Sequence, residues 1–313
     1  MVNLLIETDI FSDVDDIGAL AVAHALADEG SATIIAICVN TPSRWGHQAV
    51  RIVNAYYGRQ VTPVGALLPL DDSIADRDYA KQLVTAFSTE EEVDPPEDAV
   101  RVARRALHGA ADDSIVVVSL GFFQNLIGLL RSEADDISPA TGLELVRRKV
   151  TRTVVMGGLF PQGWEFNVGE YPAVAAEFVD TWPGDLEFLG WEVGDDVITG
   201  RDLSRDLDPE NPVSAAYRAF SGSGAGRQSW DLMAVALAVH GVGTEYEYSP
   251  AGRVSVLEHG RTEWVEEIGG RHRYVRRLES AETIAALLDR YLSQTPLVRR
   301  ILSPLTTESG LST

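Results

Sequence analysis

The chain has 313 residues, 45% hydrophobic and 23% charged, which is the usage of an ordinary globular protein with enough apolar residues for a sizeable core. Its 47 acidic and 26 basic side chains give a net charge of -21, which disfavours nucleic acid and anionic membranes as partners. A neutral small molecule or a cation fits this surface better. Adaptation to a salty habitat would produce the same excess of acid, and composition leaves both explanations open.

The single cysteine, Cys38, lies in the apolar run 34–39 and is expected to be a buried core thiol. One cysteine excludes an intramolecular disulfide and a multi-cysteine zinc site. The first residues show neither the basic region nor the long apolar region of a signal peptide. No window approaches the roughly 20 apolar residues that a membrane span needs. These features predict a cytoplasmic protein without a membrane partner.

Short apolar runs alternate along the chain with segments that have apolar residues at helical spacing. This alternation predicts βαβ units, and hence an α/β fold with an open, mainly parallel sheet flanked by helices, in one domain over 1–313. The predicted strands are 3–8, 32–39, 61–65, 114–120, 150–156 and 186–193. The predicted helices are 16–27, 47–57, 97–108, 125–131, 173–179, one beginning near Asp231, and 282–292.

Three stretches break this alternation. Residues 71–94 are polar, acidic and weakly periodic, which indicates an excursion or lid. Residues 200–226 are rich in Gly, Ser, Pro and Asp, so no regular element is predicted there. Residues 253–277 become strand-like with short turns, which predicts a small β-ribbon before the last helix.

The strongest local signal is an acidic loop that follows the first strand. Five carboxylates fall within ten residues: Glu7, Asp9, Asp13, Asp15 and Asp16. Open α/β sheets bind ligands at the carboxyl ends of their strands, which is where this loop lies. Clustered carboxylates repel each other unless a cation or shared protons relieve them, and oxygen ligands favour Ca²⁺ or Mg²⁺. A solvated acidic loop is the alternative that spacing alone leaves open.

Two further polar motifs follow in the chain. The glycines of Met156-Gly157-Gly158 end a strand, where they allow a tight turn near a ligand. Glu165 and Asn167 point the same way if their segment is extended, and such acceptors and amides suit a hydroxyl-rich ligand. Asp231 stands at the start of an apolar helix, where it is either a ligand-binding residue or an ordinary N-cap.

Taken together, these motifs resemble those of the inosine-uridine type nucleoside hydrolases, which split the N-glycosidic bond of ribonucleosides. The first motif of that family is Asp-x-Asp-Pro-Gly-x-Asp-Asp, and other lineages carry a Thr-Asp-Ile-Gly-Ser-Asp-Val-Asp-Asp form that residues 8–16 match closely. Here the loop is two residues longer than in the first form and lacks Pro-Gly. The other matches are Asn40, the segment 121–126 with three changes, Met156-Gly157-Gly158, Glu165-Phe166-Asn167, and Trp230-Asp231 in place of the His-Asp of many members.

The resemblance implies an open α/β fold that holds one Ca²⁺ at the bottom of a pocket. The implied ligands are the side chains of Asp9, Asp16 and Asp231 and the main-chain carbonyl of Gln124. Water and the sugar hydroxyls would complete the high oxygen coordination that Ca²⁺ prefers. Asp9 would act as the general base toward a water that attacks C1′ through an oxocarbenium-like state. The longer loop leaves Asp13 as a second candidate for the general base, or as a carboxylate that contacts the site residues without contacting the substrate.

The resemblance also implies a set of contacts to the substrate. Four polar residues would bind the ribose hydroxyls: Asp15, Asn40, Glu165 and Asn167. Met156 and Trp230 complete the implied set of substrate-binding residues. Because an indole is only a hydrogen-bond donor, Trp230 cannot serve as the general acid for the departing base. It is expected either to stack on the nucleobase or to pack behind the site.

The resemblance predicts Ca²⁺-dependent hydrolysis of ribonucleosides in purine or pyrimidine salvage, by a homodimer or homotetramer. Two alternatives stay open. In the first, the protein hydrolyses another ribosylated small molecule; this stays open because the sequence defines the pocket for the base poorly. In the second, the protein binds a nucleoside without hydrolysing it. The sequence leaves the base preference open.

Overall fold

The computed structural model describes residues 1–10, 13–71, 79–88, 95–206 and 208–302, and within these ranges most strands join one large sheet. The strands are β1 (Val2–Thr8), β2 (Ala32–Val39), β3 (Val64–Ala66), β4 (Glu97–Asp98), β5 (Ile115–Ser119), β6 (Val150–Met156), β7 (Gln162–Trp164), β8 (Leu186–Leu189), β9 (Ile198–Thr199), β10 (Arg227–Gln228), β11 (Tyr246–Tyr248), β12 (Gly252–Val256), β13 (Arg261–Glu266) and β14 (His272–Arg277). Strands β9 and β10 form a separate antiparallel pair.

The strand order of the large sheet is β4-β3-β2-β1-β5-β6-β8-β14-β12-β13-β7. Neighbours from β4 to β14 are parallel, and β12, β13 and β7 continue the sheet in antiparallel fashion. β11 pairs antiparallel with β14. The order reverses at β1, which lies between β2 and β5. The carboxyl ends of β1 and β5 therefore form the crevice in which open α/β sheets bind ligands.

Helices cover both faces of the sheet. They are α1 (Asp15–Asp28), α2 (Gly46–Tyr56), α3 (Tyr79–Phe87), α4 (Ala99–Gly109), α5 (Gln124–Arg131), α6 (Gly142–Lys149), α7 (Phe166–Gly169), α8 (Pro172–Thr181), α9 (Trp191–Gly194), α10 (Arg201–Arg205), α11 (Pro212–Ser221), α12 (Trp230–His240), α13 (Ala281–Leu292) and α14 (Leu297–Leu302). Successive side chains of β1 point to opposite faces of the sheet and so pack into two hydrophobic cores. Leu4 and Ile6 pack in one core with α1, α2 and α12, and Leu5 packs in the other with α4, α5 and α8.

Two of these helices are apolar on all sides. Residues 15–26 of α1 and 230–238 of α12 are buried throughout, as expected of helices enclosed in a core. They pack closely because Gly18 leaves no room for a side chain: a Cβ there would come within 2.8 Å of Leu232 Cδ1 and overlap the Tyr217 hydroxyl. This packing fixes the starts of both helices at the same edge of the sheet.

The predicted fold class is confirmed, including the mainly parallel sheet and the antiparallel strands near the C-terminus. The ribbon is joined to the main sheet, because β14 runs parallel to β8. One predicted strand is too long: β8 ends at Leu189, whose last partner is Met156, and the chain then turns into α9. Within the described ranges, no helix is both long and apolar enough to cross a membrane.

The irregular stretches contain helices that composition did not indicate. Helix α3 lies inside the predicted excursion, of which residues 72–78 and 89–94 lie outside the described residues. Helices α10 and α11 lie in the Gly- and Ser-rich stretch, and α11 has an Asn211 cap and Pro212 at its first position. Helix α6, also unpredicted, begins with a capping box between Thr141 and Glu144, a signal that the sequence does contain.

Candidate active site

A cavity of about 300 Å³ opens at the carboxyl ends of β1, β5 and β6, next to the start of α12. This volume is at the lower end of the range for ligand pockets. Eight of the residues that the sequence singled out line it: Asp9, Asp13, Asp15, Met156, Glu165, Asn167, Trp230 and Asp231. The topology therefore brings together residues that are up to 222 positions apart, from Asp9 to Asp231.

The carboxylates meet because two helices begin here. Asp15 and Asp16 lie in the first turn of α1, and Asp231 lies in the first turn of α12. The Asp231 backbone N–H donates a hydrogen bond to Asp15 Oδ2 at 3.3 Å, which joins the two turns. The partial positive charge of a helix N-terminus stabilises such carboxylates.

These carboxylates are buried side by side, so their ionisation is unfavourable. Burial first, and then the neighbouring carboxylates, raise the pKa of Asp9, Asp15 and Asp231 well above the usual value. Burial and the Asp13 charge raise the pKa of Asp16 to about 7, although a hydrogen bond from the Thr8 hydroxyl opposes the shift. Desolvation and like-charge repulsion disfavour the ionised state, and a nearby cation would oppose both by favouring the charged carboxylates.

The donor set fits a hard cation. Asp13, Asp15 and Asp16 each place a carboxylate oxygen within 4.8 Å of the others, close enough to share one metal ion. Within the described residues, the buried Asp16 Oδ2 has no hydrogen-bond partner, so one acceptor remains available at the centre of the cluster. All of these ligand atoms are oxygens, as Ca²⁺ and Mg²⁺ prefer.

Asp9 is held at the strand end by its surroundings. Its backbone carbonyl accepts a hydrogen bond from Thr41 Oγ1 at 2.7 Å. A Cβ on Gly121 would lie 2.6 Å from Asp9 Cβ, so only glycine allows the start of the loop after β5 to pass this close. The next residue, Ile10, has φ of 27°, a left-handed conformation that a β-branched side chain rarely adopts.

Three predicted site residues lie outside the cavity lining. Asp16 is behind it within the carboxylate cluster. Asn40 is fully buried, and its Oδ1 accepts a hydrogen bond from the Phe122 backbone N–H at 3.1 Å. Gln124 is the first residue of α5, and its Oε1 is buried. The roles of Asn40 in sugar binding and of the Gln124 carbonyl in metal binding stay predictions.

Glu165 and Asn167 both line the cavity, although their segment is not extended. Glu165 is the N-cap of α7, and its carboxylate accepts hydrogen bonds from the N–H groups of Asn167 at 2.7 Å, Gly158 at 2.9 Å and Val168 at 3.2 Å. Burial raises the pKa of Glu165 to about 7 against these stabilising hydrogen bonds. Asn167 Nδ2 donates to the Leu120 carbonyl at 3.1 Å, which ties the turn to the end of β5.

Trp230 and Trp191 are aromatic residues of the cavity lining. The Trp230 ring is buried, and its indole Nε1–H donates to the Trp191 backbone carbonyl at 2.7 Å. The two indole rings lie 6.4 Å apart, and Trp191 is 41% exposed at the opening. The single donor of Trp230 is therefore already engaged, and only its ring face is available to a ligand.

Sequence reasoning missed five lining residues: Leu120, Phe166, Trp191, Phe220 and Arg227. Arg227 is the most informative of them. Its Nη2 donates to Asp13 Oδ2 at 2.6 Å, and its guanidinium lies 5.2 Å from the centre of the Trp230 ring. The only available signal was its position three residues before Trp230. Trp191 and Phe220 come from α9 and α11, which the sequence pattern did not predict.

No family model matches the sequence, and no curated protein matches it. Solved structures do match. The inosine-uridine preferring nucleoside hydrolase from Bacillus anthracis shares 14% identity at a TM-score of 0.68, over 93% of this chain and 100% of that chain. The purine-preferring ribonucleoside hydrolase from Gardnerella vaginalis shares 16% identity at a TM-score of 0.69, over 92% of this chain and 98% of that chain. The type III effector protein XopQ, complexed with adenosine diphosphate ribose, shares 13% identity at a TM-score of 0.67, over 93% of this chain and 92% of that chain.

These likenesses extend over nearly the whole chain, at identities too low to carry an activity across. They define the class of fold: a mainly parallel, doubly wound α/β sheet with its cavity at the carboxyl ends of the strands. The protein has the fold of the nucleoside hydrolases, as the sequence motifs predicted.

Proposed function

We propose that the protein is a Ca²⁺-dependent N-ribosyl hydrolase that splits ribonucleosides into ribose and free base. The observation that carries this proposal is that one cavity is lined both by the buried carboxyl groups of Asp9, Asp15 and Asp231 and by the aromatic rings of Trp191, Phe220 and Trp230. The polar groups suit a sugar, and the ring faces suit a heterocycle. The nucleoside hydrolase fold agrees with this division.

In this proposal Asp9 is the general base. Its carboxylate lies at the cavity wall, and it is held in place by Thr41 and Gly121. It would take one proton from water while the water oxygen attacks C1′ and the C1′–N bond breaks. Asp13 is the weaker candidate because its carboxylate is paired with Arg227 at 2.6 Å.

Asp9, Asp16 and Asp231 would hold the cation with the Gln124 carbonyl, beside the Asp13 and Asp15 carboxylates that lie within 4.8 Å of Asp16. Ca²⁺ bound there would polarise water and the 2′- and 3′-hydroxyls. Asp15 and Asn167 would orient those hydroxyls from the wall. Glu165 would act mainly by fixing Asn167, since its carboxylate already accepts three backbone hydrogen bonds.

A panel of ribosides tests the proposal. Purified protein with added Ca²⁺ is incubated with common ribonucleosides and 4-nitrophenyl riboside, and ribose and base are quantified by chromatography. We expect equal amounts of both products, with loss of turnover in Asp9→Asn. Asp13→Asn should retain turnover, and the reverse result would assign the base to Asp13. Binding of nucleosides without any product would identify a nucleoside-binding protein instead.

A larger ribosyl compound is the second candidate, favoured by the solved complex of XopQ with adenosine diphosphate ribose and by the cationic Arg227 at the cavity. It ranks second because a cavity of about 300 Å³ is small for a dinucleotide-sized ligand. Adenosine diphosphate ribose and related compounds therefore belong in the same panel.

A further inference from the structure

Among the described residues that line the cavity, only one carries a positive charge, and it lies outside the predicted site. Among the described lining residues, five are carboxylic acids, and Arg227 is the sole Lys, Arg or His. In a protein of net charge -21, a cation placed in the cavity between aromatic rings calls for a specific explanation. Ion pairing with Asp13 explains part of its position, but not the direction that its side chain takes across the rings.

The guanidinium of Arg227 is fixed from several directions. It lies 5.2 Å from the ring centre of Trp230 and 5.4 Å from that of Phe220, both of which line the cavity. Its Nη2 donates to Asp13 Oδ2 at 2.6 Å, and its Nη1 donates to Gln228 Oε1 at 3.0 Å. Its buried Nε–H has no partner within the described residues. A fixed cation on aromatic faces with a spare donor is suited to a planar, electron-rich group.

The proposed reaction needs a group at this position. When the C1′–N bond breaks, its electron pair goes to the base, which leaves as an anion unless a proton is supplied. No histidine lines the cavity in the described part of the chain, and the Trp230 indole N–H is already bonded to Trp191. A guanidinium stays protonated, so Arg227 can stabilise that anion by charge and hydrogen bonding but cannot protonate it.

We infer that Arg227 is a specificity-determining residue, which selects neutral ribosides whose leaving group departs as an anion; this inference rests on the proposed hydrolysis. In the step, the water oxygen bonds to C1′, one water proton passes to Asp9, and the electron pair of the breaking bond, C1′–N in nucleosides and C1′–O in 4-nitrophenyl riboside, moves onto the leaving group beside Arg227. The anion takes a proton from solvent after release. Acidic heterocycles and nitrophenolate are leaving groups of this class.

The same charge works against cationic ribosides. A pyridinium riboside such as nicotinamide riboside carries its positive charge on the leaving group and loses it when the bond breaks, so no anion develops. The Arg227 guanidinium would repel the bound substrate and offer nothing to the transition state. Opposite responses of the two substrate classes therefore separate leaving-group stabilisation from general damage to the site.

The test measures kcat/KM for uridine, 4-nitrophenyl riboside and nicotinamide riboside in wild type, Arg227→Gln and Arg227→Lys. Removing one preorganised donor to a developing negative charge costs about a hundredfold or more. We expect Arg227→Gln to lose about a hundredfold on the two neutral ribosides and to keep or improve its rate on nicotinamide riboside. Arg227→Lys, which retains the charge, should keep most of the preference. An equal loss on all three substrates would reduce Arg227 to a structural partner of Asp13 and overturn the inference.

The control variant is Arg299→Gln. Arg299 lies 4.6 Å from the Tyr56 ring centre and pairs with Glu210 at 2.8 Å, so the variant removes a similar stacked cation whose residue does not line the cavity. It should leave all three rates unchanged. If wild type cleaves no riboside, the proposed function fails, and calorimetry with nicotinate and nicotinamide still tests Arg227. Preference for nicotinate that disappears in Arg227→Gln supports an anion-selecting role, and equal binding of both probes by wild type overturns it.

Discussion

The two walls of the cavity are built in different ways. The carboxylate wall, consisting of Asp9, Asp13, Asp15 and Asp231 with Asp16 behind it, comes from the end of a central strand, the residues that lead into α1, and the first turns of α1 and α12, the two most enclosed helices. The aromatic wall, consisting of Trp191, Phe220, Arg227 and Trp230, comes mostly from the short α9, the end of α11 and the two-residue β10. Only Trp230 belongs to both a deep helix and the aromatic wall.

This difference separates two tasks. Groups fixed on packed strands and helices hold their geometry within narrow limits, which suits the reacting atoms. Groups on short connecting segments can differ without disturbing the core, which suits the choice of leaving group. We therefore expect changes in the carboxylate wall to affect whether the reaction occurs, and changes in the aromatic wall to affect which substrate reacts.

The largest expected effect is that of Asp231→Ala. This change removes a carboxylate from the cation site and leaves the Asp15 contact through the backbone N–H in place. We expect hydrolysis to fall by at least about a thousandfold, or roughly 4 kcal/mol of transition-state stabilisation, while the fold persists. Metal analysis and kcat/KM measured on the same preparation check this, with Asp180→Ala, an exposed carboxylate paired with Arg253, as control. Active protein without a bound divalent ion would refute the metal site.

The sugar provides the second test of the carboxylate wall. Ribonucleosides should be preferred over 2′-deoxyribonucleosides by at least about a hundredfold, because the missing hydroxyl leaves buried polar groups such as Asp15 and Asn167 without a partner. Competition between uridine and 2′-deoxyuridine in one vessel measures the ratio of kcat/KM directly. Comparable values for the two sugars would contradict the proposed ribose contacts.

The aromatic wall should respond more weakly. Trp230→Ala removes the aromatic ring, while alanine still allows α12 to begin at this residue. We expect kcat/KM for purine and pyrimidine ribosides to fall by about tenfold to a hundredfold, at about 1.4 kcal/mol per decade. Substrate panels with Trp230→Ala and the control Trp264→Ala, on β13 beside Tyr274, check this. A loss as large as that of Asp231→Ala would remove the distinction between the two walls.

The smallest effect concerns the scaffold behind the carboxylate wall. His24, buried in α1, accepts or donates one hydrogen bond with Asn54 at 2.8 Å, and burial lowers the pKa of His24 to about 3. Because this pKa lies below the unfolded value of about 6.5, the stability that neutral His24 contributes above that pH is lost as the pH falls toward 3.

We expect the free energy of unfolding of wild type, relative to His24→Gln, to decrease by about 2 kcal/mol between pH 7 and pH 5. Urea unfolding at both pH values measures this difference. His259→Gln, at a side chain 87% exposed, is the surface control. A difference between wild type and His24→Gln that does not change with pH would mean that His24 titrates normally in the folded state.

The contrast between the walls also explains what the sequence could predict. The ends of β1 and β6 and the start of α12 follow from long apolar runs, and the polar residues at those ends are recognisable motifs, so Asp9, Asp15 and Asp231 could be found. Trp191 was missed because apolar residues recur on both sides of Gly190, so residues 186–193 were predicted as one strand, whereas β8 ends at Leu189 and α9 begins at Trp191.

Residues whose roles depend on contacts distant in the chain were also missed. Arg227 pairs with Asp13 across 214 positions, and neither residue's neighbours indicate the other. Phe220 lies in a helix whose Gly- and Ser-rich flanks suggested a loop, although its Asn211 cap and Pro212 were readable signals. Glu165 was assigned a sugar contact from its spacing to Asn167; that contact stays a prediction, and the structure adds that its carboxylate caps α7.

The most direct test of the central claim is the configuration of the first sugar released. If Asp9 activates a water that displaces the base in a single step, the β-riboside gives α-ribose first, which then equilibrates in solution. Proton NMR of uridine hydrolysis, followed from the first minutes with enough enzyme to outrun mutarotation, distinguishes the anomers. We expect α-ribose as the initial product together with free uracil. Initial β-ribose, or no cleavage of any riboside in the presence of Ca²⁺, would contradict it.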